Sequence, residues 1–219
     1  DTAIKYAKDI SSNSNNSHLV DLLLFIDFIK DEKFISASNL LEKNKENYTE
    51  LLYGLLKGWT SLGQGKMSLV LKTFDEMDSN STSQIFGQYH KALALAAVGD
   101  FGSADKILLG NSEGSLRFTR GSLIAHAQIM AELSRKNDAL ELINTIALEG
   151  QDAEFDQLRK KIQSGLSHYD YITSSQQGIA EVLFTIAFAL NGSENDQTSL
   201  LYVRFCLLYT SPSPRDSDS

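Results

Sequence analysis

The feature that most restricts what this chain can fold into is a recurrence close to 34 residues. The small or aliphatic residues Ala3, Ala37, Val70, Ala104 and Ala139 follow one another at intervals of 34, 33, 34 and 35. Four residues after each stands a second set, Ala7, Leu41, Phe74, Leu108 and Ile143. Twelve residues before the later copies come Phe25, Gly58, Ala92 and Ala127, and five before come Gly65, Gly99 and Ser134. A fixed period of this length means one supersecondary unit repeated along an axis, each copy burying its apolar face on the next.

The repeated unit reads as a pair of antiparallel helices. Leu19, Leu22, Leu23 and Ile26 recur at three to four residues, as do Leu51, Leu52, Leu55 and Trp59. The stretches 86–98, 123–133, 139–147 and 179–190 behave alike, which is the period of an amphipathic helix. Breaks fall at 13–17, 44–47, 63–65, 78–83, 99–100, 110–114 and 192–195. Small residues twelve apart, as in Ala92/Ala104 and Ala127/Ala139, let the two helices of a hairpin approach closely, and the larger residue at +4 fills the groove against the next hairpin.

Pro would interrupt such helices, and the chain has only two, Pro212 and Pro214, beside its one Cys, Cys206. All three lie in the string 206–216, CLLYTSPSPRD, which resembles a translated sequencing-library adapter. Residues 206–219 are therefore read as a non-native, disordered tail and set aside. Without Arg215, Asp216 and Asp218 the net charge goes from −8 to −7, and the rest holds neither Cys nor Pro. The start at Asp1 without Met or a signal pattern reads as an internal fragment of a longer protein.

The period, the small residues twelve apart, and the phrases WTSLGQG (59–65) and ALALAAVGDFGSA (92–104) resemble tetratricopeptide (TPR) repeats. GIAEVLFTIA (178–187) with SLLYV (199–203) is similar to a strip of large bacterial TPR proteins of undefined role. The resemblance covers nearly all of residues 1–205; the family's Pro at the repeat end is missing, and Phe25 and Val70 replace small residues. It implies an all-α fold, a right-handed α-solenoid of about five stacked antiparallel hairpins. Residues 1–148 hold TPR-like repeats, 149–175 an inserted helix and connector, and 176–205 a further, truncated hairpin. The insertion follows from spacing: Ala139 and Ser199 lie 60 residues apart, about 26 more than one repeat. Within it, Phe155, Leu158 and Ile162 have helical spacing over 153–165, and Tyr169, Tyr171 and Ile172 form an apolar connector.

Signals of chemistry are sparse. The four histidines, His18, His90, His126 and His168, have no metal-ligand spacing and no HExxH. His90 and His126 sit beside the small residues of first helices and read as packing residues. GQGK (63–66) lacks the spacing and following Ser/Thr of a phosphate loop and reads as a turn. No GxSxG occurs, and Arg159, Lys160 and Lys161 read as a solvated helix face. The expectation is no enzyme, no cofactor, no metal and, given the acidic balance, no nucleic acid. Glu132 with His126 is the one loose candidate for a helical-repeat enzyme. No run of 18 apolar residues exists, so no membrane span is expected.

A stack of hairpins presents its first helices along a concave groove suited to a segment or helix of another protein. On the expected register the groove positions include Leu52, Leu55 and Trp59, then Phe86, Tyr89 and Leu93, then Gln128 and Glu132, then Phe184 and Phe188. Leu52, Leu55 and Leu93 read as core. Trp59, Phe86, Tyr89, Gln128, Glu132, Phe184 and Phe188 are the candidate partner-binding residues. The Lys/Asn clamp that some TPR members use for a C-terminal carboxylate is not visible, since Trp59, Leu93 and Gln128 hold that position. The expected function is a non-enzymatic protein–protein interaction scaffold binding a partner peptide or helix. The alternative is a recognition or accessory segment of a larger enzyme or cell-envelope assembly factor, with catalysis elsewhere. Uncapped ends would favour self-association, and the composition suits bacterial cytoplasm and periplasm equally.

Overall fold

The computed structural model describes residues 18–77, 81–110, 119–145 and 152–190. Among these there are ten α-helices and no strand. They are α1 His18–Lys30, α2 Phe34–Lys43, α3 Glu50–Gly63, α4 Met67–Asp75 and α5 Ser81–Ala97. They continue with α6 Phe101–Gly110, α7 Arg120–Glu132, α8 Lys136–Asn144, α9 Ala153–Ser164 and α10 Ser175–Leu190. Neighbouring helices pack largely in chain order, an all-helical arrangement consistent with an α-solenoid. Ala3, Ala7, the strip 199–203 and the tail 206–219 lie outside the described residues.

The chain divides into two compact units, one of residues 1–73 with 174–219 and one of residues 74–173. In the first, α1 packs on α2, α2 on α3, and α10 on α3. In the second, α5 packs on α6, α6 on α7, α7 on α8 and α8 on α9, while α7 also meets α5 and α9.

The sequence period becomes a repeated turn. Glu32, Gly65, Gly99 and Ser134 all have left-handed backbone, φ +57, +72, +85 and +60°. Each is followed by an amide that reaches back over the turn: Lys33 to Phe28 O (2.8 Å), Lys66 to Ser61 O (3.0 Å), Asp100 to Leu95 O (2.9 Å) and Arg135 to Met130 O (2.8 Å). These are the long-range bonds of a Schellman cap, which occupy the last carbonyls of each first helix. The next helix then opens with Ala37, Val70, Ala104 or Ala139 bonding the residue four before it. Only two of the four positions carry Gly, so Glu32 marks a fourth copy of the turn that a glycine search passes over.

The periodic residues are the core. Ala37, Val70, Ala104 and Ala139 are wholly inaccessible, and Leu41, Phe74, Leu108 and Ile143 are buried at +4. Phe25, Ala92 and Ala127, twelve before, are equally inaccessible. Leu52, Leu55 and Leu93 are core, as expected.

The extra helix expected within 153–165 is α9. Asp152 caps it, its Oδ1 accepting from the Glu154 and Phe155 amides at 3.0 and 3.2 Å. Gly165, at φ +71°, ends it. Phe155, Leu158 and Ile162 enter the core with Leu123, Ile124, Ala127, Met130, Ala139 and Ile143. Arg159 departs from its expected place on a solvated face. It is buried, donating to Asn144 Oδ1 at 2.9 Å and to Asp156, because α9 turns that side toward α8.

Candidate functional site

The most organised polar constellation outside the helix ends is built on α7. Thr119 caps this helix, its Oγ1 accepting from the Ser122 amide at 3.2 Å. Gln128 and Glu132 stand four residues apart, hence one above the other on one face. Against them lies the non-helical segment 166–173. Glu132 Oε1 accepts from the Tyr169 amide at 2.7 Å, and Gln128 Oε1 accepts from both the Asp170 and the Tyr171 amides at 3.1 Å. Gln128 Nε2 in turn donates to Asp170 Oδ1 at 2.6 Å. Three successive backbone donors are thus satisfied by two side chains of one helix.

The segment arrives there because Gly165 reverses the chain. The Leu166 and Ser167 amides fold back on Lys161 O at 2.9 and 3.1 Å, and Lys136 Nζ donates to Gln163 O. Side chains then alternate: His168 is exposed, Tyr169 buried, Asp170 exposed. The Tyr169 ring meets Phe101 of α6 with centroids 5.7 Å apart and planes tilted by 58°, and Ile172 is buried beyond it. The segment is thus held by its backbone amides, by the Asp170 side chain on Gln128 and by the Tyr169 ring on Phe101.

Two residues before Gln128 lies a second network. His126 Nε2 is 2.9 Å from Asp105 Oδ1, and Arg135 Nη1 donates to Asp105 Oδ2 at 2.6 Å. Arg135 Nε reaches Asp138 at 2.7 Å, and the paired carboxylates raise the Arg135 pKa. Asp105 and His126 are both buried. The pairing has the residue types of an acid–base dyad, but it is closed in packing, with the second carboxylate oxygen held by Arg135. At the head of α7, Arg120 bridges Asp152 and Glu154 and lies 4.8 Å over the Phe155 ring. The guanidinium holds the Asp152 carboxyl well below the usual range. No group of three metal-ligating side chains occurs among the described residues, and no described helix is long and apolar enough to cross a membrane.

Of the residues expected to line a groove, Gln128 and Glu132 are brought together. Trp59 is fully inaccessible, its indole seated on Gly178 of α10. Phe86 and Tyr89 are buried, Tyr89 edge-on to His90 at 5.2 Å. These three aromatics are interior and line no open groove, because helix–helix packing covers them. Phe184 is 47% exposed, and the Phe188 side chain lies outside the described residues. His126 and Glu132 engage different partners, Asp105 and the Tyr169 amide. The role of Tyr169 and the Asp105–His126–Arg135 network escaped the sequence reading. The near-alternation of 168–172 was the available signal for the first, and no local pattern announces the second. In the first unit, a shallow cavity of about 410 Å³ lies beside the turns at 32–36 and 63–66, with Lys33 and Lys66 engaged by Asp31 and Gln64.

No protein-family model, curated protein or solved structure matches this chain.

Proposed function

We propose that the chain is a non-enzymatic interaction scaffold, a right-handed solenoid of about five TPR-like hairpins from a bacterial protein, that holds a non-helical segment of a partner polypeptide. The observation that carries this reading is the grip of Gln128 and Glu132 on three consecutive amides at 169–171. A carboxamide and a carboxylate one helical turn apart read backbone N–H groups whatever the sequence, and the Phe101 ring adds a preference for an aromatic residue. The four left-handed turns and the fully buried residues that follow each at +5 support the repeat assignment. His90 is enclosed and His126 is bound to the buried Asp105, so neither is open to a substrate.

The test is selection from a random-peptide phage library on the purified chain and on the Tyr169→Pro/Tyr171→Pro variant, which lacks two of the three gripped donors. Enriched peptides whose binding is lost in Gln128→Ala/Glu132→Ala support the scaffold. Folded protein that enriches no peptide in either form refutes it.

A further inference from the structure

We infer that residues 168–172 are an internal ligand, occupying the Gln128/Glu132 site and competing there with a partner segment of aromatic–acidic–aromatic sequence. This rests on the scaffold reading and adds to it the regulation of the site and the chemistry of its occupant.

The contacts divide as they do when a peptide is recognised. Backbone contacts come from Glu132 to Tyr169 and from Gln128 to Asp170 and Tyr171. Side-chain contacts come from Gln128 Nε2 to the Asp170 carboxylate, and from Phe101 to the Tyr169 ring. Lys161 Nζ, outside the segment, lies 3.9 Å from the Asp170 carboxylate, so the site favours an acidic residue between the two rings.

The occupant is joined to the site on both sides rather than built into a helix. Gly165 turns it back from α9, and it lacks helical hydrogen bonding through residue 173. The amides at 169–171 have no helix to satisfy them, so they depend on α7. A tethered occupant of this kind acts at an effective concentration on the order of millimolar. A partner carrying the same chemistry must exceed that, so the segment sets a threshold and rejects weak binders. Leu166 beside it is 73% exposed, leaving its approach open to solvent.

A fluorescein-labelled synthetic peptide of residues 166–173, Leu-Ser-His-Tyr-Asp-Tyr-Ile-Thr, tests this against the full chain. The expected result is that Tyr169→Pro/Tyr171→Pro binds it at least about tenfold tighter than wild type. Adding Gln128→Ala/Glu132→Ala to that variant abolishes the binding. Equal affinity of wild type and the proline variant, tighter binding by wild type, or no binding to either overturns the internal-ligand assignment. A second measurement needs no core substitution: hydrogen exchange of the 169–171 amides in wild type, with and without saturating unlabelled peptide. Displacement accelerates their exchange; unchanged or slower exchange overturns the proposal. If phage selection yields binders while this peptide fails, the scaffold stands and only self-occupancy falls; if both fail, both readings fall.

Discussion

Replacing Gly178 by Ala sets two opposed effects against each other within one helix. Alanine is the better helix former by about 1 kcal/mol, so propensity alone predicts a more stable chain. Packing predicts the reverse. A Cβ built on Gly178 lies 2.1 Å from Cε3 and 2.2 Å from Cδ2 of Trp59, and this indole is wholly inaccessible. Reaching ordinary carbon–carbon contact requires α10 and α3 to part by about 1.4 Å. A gap of that order forfeits much of the dispersion attraction along the line of contact, and overpacking in a filled core costs about 1–3 kcal/mol or more. The packing loss at its upper end less the propensity gain leaves Gly178→Ala about 2 kcal/mol destabilising. For a chain of this size that is a fall in Tm of about 4–8 °C. The control is Gly102→Ala, where an added Cβ meets nothing within 4 Å. It should raise stability by about 0.5 kcal/mol. Thermal melts followed by circular dichroism, with Trp59→Leu as a second background, complete the cycle. In Trp59→Leu the penalty of Gly178→Ala should shrink, since the atoms it strikes are gone. A Tm for Gly178→Ala equal to wild type or above it would refute the close packing of α3 on α10.

Three further outcomes follow from single observations. Ser134 and Glu32 take a left-handed conformation that costs an L-residue about 1–2 kcal/mol, so Ser134→Gly and Glu32→Gly should each stabilise by about 0.5–1 kcal/mol in urea melts, while Gly99→Ala destabilises by about 1. Burial pushes the His90 imidazole pKa down from 6.5 to about 3. The unfolded chain therefore binds a proton below pH 6.5 that the folded chain refuses, and stability drops as pH falls from 6.5 toward 3, by up to 1.36 kcal/mol per pH unit. Urea midpoints at pH 7.5 and 5 should show that the acid sensitivity of wild type exceeds that of His90→Leu by about 2 kcal/mol; equal sensitivities would contradict a neutral, enclosed His90. Asp105→Ala should cost about 2 kcal/mol, because His126 loses its acceptor and Arg135 keeps only Asp138. A double-mutant cycle with His126→Ala checks it, and additivity within about 0.3–0.5 kcal/mol would mean that the pair is not coupled.

What was legible in the sequence was whatever repeats locally. The small residue, its partner at +4 and the turn at −5 each act within one hairpin, so their spacing survives as a written pattern. The spacing of Ala104 and Ala139 from Ala92 and Ala127 by itself assigns them to close helix approach. Even there, chemistry blurred the pattern: two of the four left-handed turns carry Glu32 and Ser134, since the Schellman bonds of Lys33 and Arg135 hold a conformation that glycine alone would adopt freely. Arg159 departs from its expected solvated face for a related reason. A charge cluster looks solvated until the helix face it shares with Ile162 and Leu158 is known to be enclosed.

The candidate site shows where that legibility ends. Trp59 and Gln128 share a register position and hence one expected groove, yet each meets a different stretch of chain. Trp59 takes Gly178, and Gln128 takes the backbone of residues 170 and 171. A register states which face a residue occupies and is silent on what covers that face. For Trp59 the cover is a helix whose glycine is shaped to the indole, which makes the contact permanent packing. For Gln128 and Glu132 the cover is held through backbone amides, which any polypeptide possesses, through the Asp170 carboxylate, and through the buried Tyr169 and Ile172 side chains. Glycine shaped to a ring cannot be exchanged for another sequence without loss, whereas amides can. That difference in exchangeability separates a buried aromatic from a docking position, and it is the ground for placing the proposed site at Gln128 and Glu132 and not at Trp59.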